Sequence, residues 1–168
     1  MVQTMHPPVQ LATELRNVVD STRDAAAAAR RLPDELVDEI RRRGGFALST
    51  PVELGGHEAP LALQTQVYEA LGRLDGPVAW NVWNGNLGFS AALLDERAVG
   101  EIWDGTGDPF IANSARVTGS LAPVDGGYVL HGRWDIVSGI DNADWVALFA
   151  IVLVDGAPRM HPHGAPDV

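Results

Sequence analysis

A chain of 168 residues with 46 % apolar and 20 % charged side chains has the balance of a globular protein, one ordinary domain or two small ones. Asp and Glu number 22 against 12 Lys and Arg, a net charge of −10, and the only basic run is Arg41, Arg42 and Arg43, so nucleic acid is not an expected partner. Cysteine is absent, which excludes disulfide scaffolds, thiolate nucleophiles and thiolate-held metals, and no stretch approaches the ~18 apolar residues of a membrane helix; the expectation is a cytoplasmic protein with no membrane partner.

Residues 1–10 carry no pattern and read as a disordered tail. From Val9 to Leu32 the apolar positions Leu11, Leu15, Val18, Val19, Ala26 and Ala29 recur at helical spacing, and the alanine run 25–29 adds propensity. A second helix follows Pro33, with Asp34 and Glu35 in its first turn, Leu36, Val37 and Ile40 as its stripe and Arg41 to Arg43 at its end. Pro60 opens a third helix bearing Leu63, Val67, Leu71 and Leu74, which Asp75-Gly76 closes. Pro77 starts a fourth containing Trp80, Trp83, Leu87 and Leu94, and Asp95 caps a short fifth ending near Trp103.

Beyond Gly107 the period shortens. Phe110–Val117, Tyr128–Val137 and Trp145–Val154 are short, rich in β-branched and aromatic residues, and separated by Gly and Asp. Asp125-Gly126-Gly127 reads as a hairpin turn and Asp155-Gly156-Ala157-Pro158 as the next. The fold class is therefore α+β: an N-terminal helical domain at 11–107, then an incomplete antiparallel β domain at 108–168 whose edge needs a cover.

Several chemistries lack their residues. His57-Glu58 and His161-Pro162-His163 have no third ligand at metal spacing, so no metal site is expected. Gly105-Thr106-Gly107 lacks the third glycine and the strand-to-helix setting of a dinucleotide fingerprint. Neither a phosphate loop nor a Gly-x-Ser-x-Gly elbow occurs.

Pro51-Val52-Glu53-Leu54-Gly55-Gly56 resembles the Pro-x-Glu-Tyr-Gly-Gly loop of the acyl-CoA dehydrogenase superfamily. The run from Gly127 through Gly132-Arg133-Trp134 to Ser138-Gly139, followed by Ala143-Asp144-Trp145, resembles that superfamily's β-domain signature. Gly-Arg-Trp followed by Ser-Gly sides with its two-component flavin monooxygenases, the branch acting on phenols and related compounds. Ala112 to Ser120 aligns with the dehydrogenase Thr-Glu-Pro-x-Ala-Gly-Ser-Asp stretch but lacks the Glu-Pro and the Asp, against an acyl-CoA substrate.

The resemblance implies a flavin-dependent oxidoreductase, a monooxygenase using reduced flavin (FAD or FMN, supplied by a separate flavin reductase) and oxygen on a small organic substrate, aromatic ones included. It implies flavin contact at Asn113, Ser114, Gly119, Ser120, Ile136, Val137 and Ser138, and substrate contact on the fourth helix at Trp83, Asn84 and Asn86. Small hydroxyls and strand backbone suit a flavin edge, and amides inside an apolar helix need partners. No catalytic residue is assigned. Family members continue into a C-terminal helical bundle, so the chain is expected to be an N-terminal part that works as a homo-oligomer or with a companion chain. Two other functions compete: an acyl-CoA dehydrogenase-like desaturase, and a non-catalytic binding or assembly subunit.

Overall fold

The computed structural model describes residues 10–105 and 108–168; the expected tail falls, but for its last residue, outside them, as do the two residues at the expected domain boundary. Five helices come first: α1 (Leu11–Ala29), α2 (Asp34–Arg42), α3 (Leu61–Leu74), α4 (Gly76–Gly85) and α5 (Glu96–Ile102). Four strands follow: β1 (Ile111–Val124), β2 (Gly127–His131), β3 (Trp145–Val154) and β4 (Ala157–Pro158). Helices followed by a small sheet are the expected α+β class.

Local chemistry sets most helix ends. α1 stops at Arg30, which adopts a left-handed φ of 55°. α2 carries Asp34 and Glu35 in its first turn and Arg41 and Arg42 in its last, both favourable to the helix dipole. Between α3 and α4, Asp75 Oδ1 accepts from Val78 N at 3.1 Å, capping α4, while Arg23 Nη1 on α1 donates to Asp75 Oδ2 at 2.9 Å. Asp95 caps α5 in the same way through Ala98 N at 2.8 Å.

The helical core gathers Leu11, Leu15 and Val19 of α1, Leu36, Val37 and Ile40 of α2, Val67 and Leu71 of α3, and Val78 and Val82 of α4. Phe46 and Phe110 join it as a stacked pair with ring centroids 4.5 Å apart. Gly85 ends α4 where a Cβ would meet both rings, at 2.7 and 2.8 Å, so the stack requires the glycine.

α4 is shorter than its apolar spacing predicts. Leu87 and Leu94 lie beyond it, flanking a 3₁₀ turn at Gly88–Leu93. The reason is Asn86, whose Nδ2 donates back to Val82 O at 2.6 Å and across to Gly45 O at 2.8 Å, ending the helix with a side chain. Gly88 then presses on Thr50, which leaves no room for a Cβ.

The sheet runs in the order β2-β1-β3-β4, with β1/β2 and β3/β4 antiparallel hairpins. Asp125-Gly126 makes the first turn, with Gly126 at φ 78°, and Asp155-Gly156 the second, with both residues at positive φ (53° and 79°), the geometry of a type I′ turn. β2 ends at His131, six residues short of the end at Val137 predicted from its apolar pattern, where Gly132 lies close against Gly119 and the Trp134 ring. After β4 the chain doubles back through the Met160↔Pro166 bridge, and Val152 N donates to Asp167 O at 3.0 Å.

The chain divides into two compact units. One holds the described residues up to Ala112 together with Gly139–Trp145; the other holds Asn113–Ser138 and Val146–Val168.

Candidate functional site

In the β unit, Asn113 and Ser138 form an isolated antiparallel bridge. Residues 25 apart in sequence, from two separate motif segments, are thereby placed side by side. Next to Asn113 on β1, Ser114 is 4 % exposed, one of few buried polar side chains. Its small hydroxyl and the adjoining backbone form a donor and acceptor set of the type that meets a heteroaromatic ring edge. The remaining flavin candidates are scattered: Ser120 lies six residues along β1 from Ser114, about 20 Å at the rise of a strand, and its Oγ faces His131 O at 3.5 Å. Ile136 is 56 % exposed, and Val137 is partly buried.

Gly119 has a packing task. A Cβ there would stand 2.4 Å from the Trp134 ring, and one at Gly132 would stand 2.7 Å from it. Trp134 lies against this pair of glycines, and its Nε1 donates to Arg116 O of β1 at 2.9 Å and to Phe149 O of β3 at 3.3 Å. The Gly-Arg-Trp motif thus fastens neighbouring strands through one indole, and Thr118 Oγ1 adds a bond to Arg133 O at 2.7 Å.

In the helical unit, α4 presents Trp80 and Trp83 outward, 53 % and 51 % exposed, with ring centroids 5.0 Å apart. Asn84 on the same helix is buried. Asn86 is buried too, but its amide is spent on the protein: besides Gly45 O and Val82 O it accepts from Ser49 N at 3.3 Å, while Ser49 Oγ donates to Asn86 O at 2.9 Å. Thr50 follows, enclosed by Gly56 and Gly88, which accounts for the second glycine of the Pro51–Gly56 loop.

A charged cluster joins α2 to the segment after Ser138. Arg41 Nη2 pairs with Asp144 Oδ2 at 2.9 Å, and the same oxygen accepts from Phe110 N at 2.8 Å. Burial pushes the Asp108 carboxyl up to about 6, with the Arg41 charge acting in the opposite direction. Arg41 Nε is buried without a hydrogen-bond partner, as is His57 Nδ1. Burial also lowers the His57 pKa below its ordinary 6.5, partly offset by a backbone hydrogen bond at Gly44. Sequence reading missed this cluster. Arg41 looked like a helix-end cation and Asp144 like part of a motif; the one available signal was the Ala143-Asp144-Trp145 match itself. Among the described residues no group of three or more His, Asp and Glu is placed to hold a metal ion.

Residues 10–96, more than half of the chain, match the acyl-CoA dehydrogenase N-terminal domain. The chain belongs to this family. Among curated relatives, the oxygenase subunit HsaA of a flavin-dependent monooxygenase from Mycobacterium tuberculosis is 35 % identical over 150 residues, 84 % of this chain and 37 % of the relative. The oxygenase component of an FADH(2)-dependent resorcinol hydroxylase from Rhizobium sp. is 30 % identical over 154 residues, 87 % of this chain and 37 % of that protein. The crystal structure of a 3-HSA hydroxylase from Rhodococcus sp. superposes with a TM-score of 0.81 at 28 % identity, over 92 % of this chain and 40 % of that one. The chain thus spans somewhat more than a third of the length of the relatives it matches.

Proposed function

We propose that the chain is the N-terminal part of the oxygenase component of a two-component flavin monooxygenase. Reduced flavin, FAD or FMN, comes from a separate reductase, and a small aromatic compound is the substrate. The observation that carries this reading is the Asn113–Ser138 bridge: it joins the two segments that separately resemble flavin-contacting motifs, with the buried Ser114 hydroxyl beside them. Relatives named as flavin-dependent or FADH(2)-dependent monooxygenases, one of them a resorcinol hydroxylase, support the same reading.

The residues fit a flavin at its polar edge. Ser114 and Ser138 offer hydroxyls, and Asn113 offers backbone and amide groups, without bulk that would crowd a ring. When bound, reduced flavin supplies the two electrons with which one atom of dioxygen enters the substrate and the other leaves as water. This chain's residues bind and orient: Ser114 and Ser138 hold the ring edge, and Trp83 and Asn84 face the substrate, a tryptophan face suiting an aromatic ring. Asn86 belongs to the same helix end as a positioning residue, because its amide already binds Gly45, Ser49 and Val82.

The proposed domains remain a helical one to residue 107 and a partial β domain from 108. Tyr128, Val129 and Leu130 of β2 are each about half exposed, which favours a homo-oligomer or a companion chain as cover. No described helix is long and apolar enough to cross a membrane, and we place the protein in the cytoplasm.

Anaerobic titration with reduced FAD and reduced FMN, followed by amide NMR, tests the assignment. The amides of Asn113, Ser114 and Ser138 are expected to shift together and saturably. No shift in that group up to the solubility limit, with or without a flavin reductase, overturns it.

A further inference from the structure

The chain returning from β2 keeps step with β1 after their ladder has ended. The hairpin pairs Ser120 with His131. Residues 132–137 then lie outside any strand, and the Asn113↔Ser138 bridge stands by itself beyond them. It comes seven residues further along both segments (120 − 113 and 138 − 131), so the register of the hairpin is kept across the gap. Side chains span that gap. In the same register Gly119 stands opposite Gly132, and the Trp134 ring lies on both: a Cβ on the first would be 2.4 Å from it and one on the second 2.7 Å. The indole Nε1 donates to Arg116 O of β1 at 2.9 Å and to Phe149 O of β3 at 3.3 Å, and Thr118 Oγ1 donates to Arg133 O at 2.7 Å. Every one of these residues belongs to the β unit.

We propose that Trp134 is a positioning residue for Ser138: its indole carries the β1 register across the interrupted ladder and so sets Ser138 opposite Asn113 at the flavin edge. This rests on the flavin reading above. A slip of one residue at the bridge would turn the Ser138 side chain to the other face of the sheet, and with residues 132–137 unladdered the backbone alone does little to prevent it. Filling the space over two glycines needs only an apolar ring. What the indole adds is direction, because an N–H shared between carbonyls of two strands fixes where along β1 the returning segment lies. The ring is only half-buried, so its burial accounts for part of its effect and not for this choice of side chain.

The test compares Trp134→Phe, Thr118→Val, Ser138→Ala and the Trp134→Phe/Ser138→Ala pair in the full chain. The readouts are thermal melting by circular dichroism, amide hydrogen exchange at residues 113 and 138, and affinity for reduced flavin under anaerobic conditions. Trp134→Phe keeps an apolar ring and loses the N–H; it is expected to retain the native spectrum, to speed exchange at both residues by about tenfold and to weaken flavin binding by about fivefold, the equivalent of one hydrogen bond. In the double variant the losses in melting temperature should add, while flavin binding should be no weaker than in Ser138→Ala alone, because a misplaced serine and an absent one cost the same contact. If Trp134→Phe unfolds the chain, Thr118→Val decides: it keeps the branched shape, removes the bond to Arg133 O, and is expected to change exchange and binding in the same directions. A lower melting temperature with unchanged exchange at 113 and 138 and unchanged flavin affinity would make the indole a strand fastener only, as would additive binding losses; either result overturns the positioning role and leaves the flavin reading intact. Unchanged binding in Ser138→Ala alone overturns the flavin reading at this residue, and the positioning role with it.

Discussion

Asn86 and Ser49 hydrogen-bond each other in both directions: the Ser49 amide donates to Asn86 Oδ1 at 3.3 Å, and the Ser49 hydroxyl donates to the Asn86 carbonyl at 2.9 Å. With Gly45 O and Val82 O bound by the same side chain, one amide ties the end of α4 to the loop after α2. Asn86→Leu removes these bonds and leaves buried groups unpaired, so the expected cost is about 2–4 kcal/mol of stability. Urea unfolding monitored by circular dichroism measures it. A loss below about 0.5 kcal/mol would assign the residue to substrate contact alone.

Gly139 and Gly126 share a positive φ, 81° and 78°, but differ in surroundings: Phe110 fills the space at the first, while the second is open. Gly126→Ala should therefore cost only the backbone term, about 1 kcal/mol. Gly139→Ala adds a clash with a buried ring and should cost about 3 kcal/mol or more. Thermal melts of the two variants side by side separate strain from crowding; equal losses would refute the close approach.

Asp108 and His57 give the stability curve two opposing slopes. The Asp108 pKa is raised in the folded state, from 3.8 to about 6, so the fold binds its proton more tightly than the unfolded chain does; this contribution is present below about pH 4 and is lost as pH rises through about 6. The folded pKa of His57 is lowered, so its neutral form favours the fold and stability falls as pH drops below 6.5. Asp108→Asn should stabilise the chain at pH 8, by at most about 2–3 kcal/mol, and have little effect at pH 4. His57→Gln should flatten the acid side of the curve. Denaturant midpoints across this range check both signs.

Ser138→Ala should weaken reduced-flavin binding by about tenfold or less, the loss of one neutral hydrogen bond, without moving the melting temperature. Trp83→Ala, at a half-exposed position, should likewise spare folding while weakening the binding of an aromatic probe such as resorcinol. Isothermal titration with flavin and probe separately assigns each residue to its ligand. Resorcinol affinity unchanged by Trp83→Ala would remove the α4 face from the substrate site.

Helix ends were legible wherever a nearby residue made them. Pro33, Pro60, Asp75 and Asp95 act within one turn of their own position, and the structure places a boundary at each. The elements misjudged in length were ended by contacts from far along the chain. α4 stops short of Leu87 because Asn86 bonds to Gly45, and β2 stops before Val137, where Gly132 lies close against Gly119 and Trp134. Apolar spacing carries no trace of either contact. The site divides along the same line. Ser114 and Ser138 are candidates through their resemblance to motifs, whereas the Arg41–Asp144 pair joins residues 103 positions apart (144 − 41) whose charges each had a local explanation.

Phe110 lies beyond all five helices, yet it completes the core they build, and Asp144, which bonds its amide, comes 34 residues later still. In the growing chain α1 to α3 therefore precede by many residues the ring that stacks on Phe46, and that ring in turn precedes the carboxylate that holds its backbone. Until Phe110 is available the Phe46 ring lacks its stacking partner, so the early helices cannot complete their core by themselves, and folding of this part waits on residues that follow all of its helices.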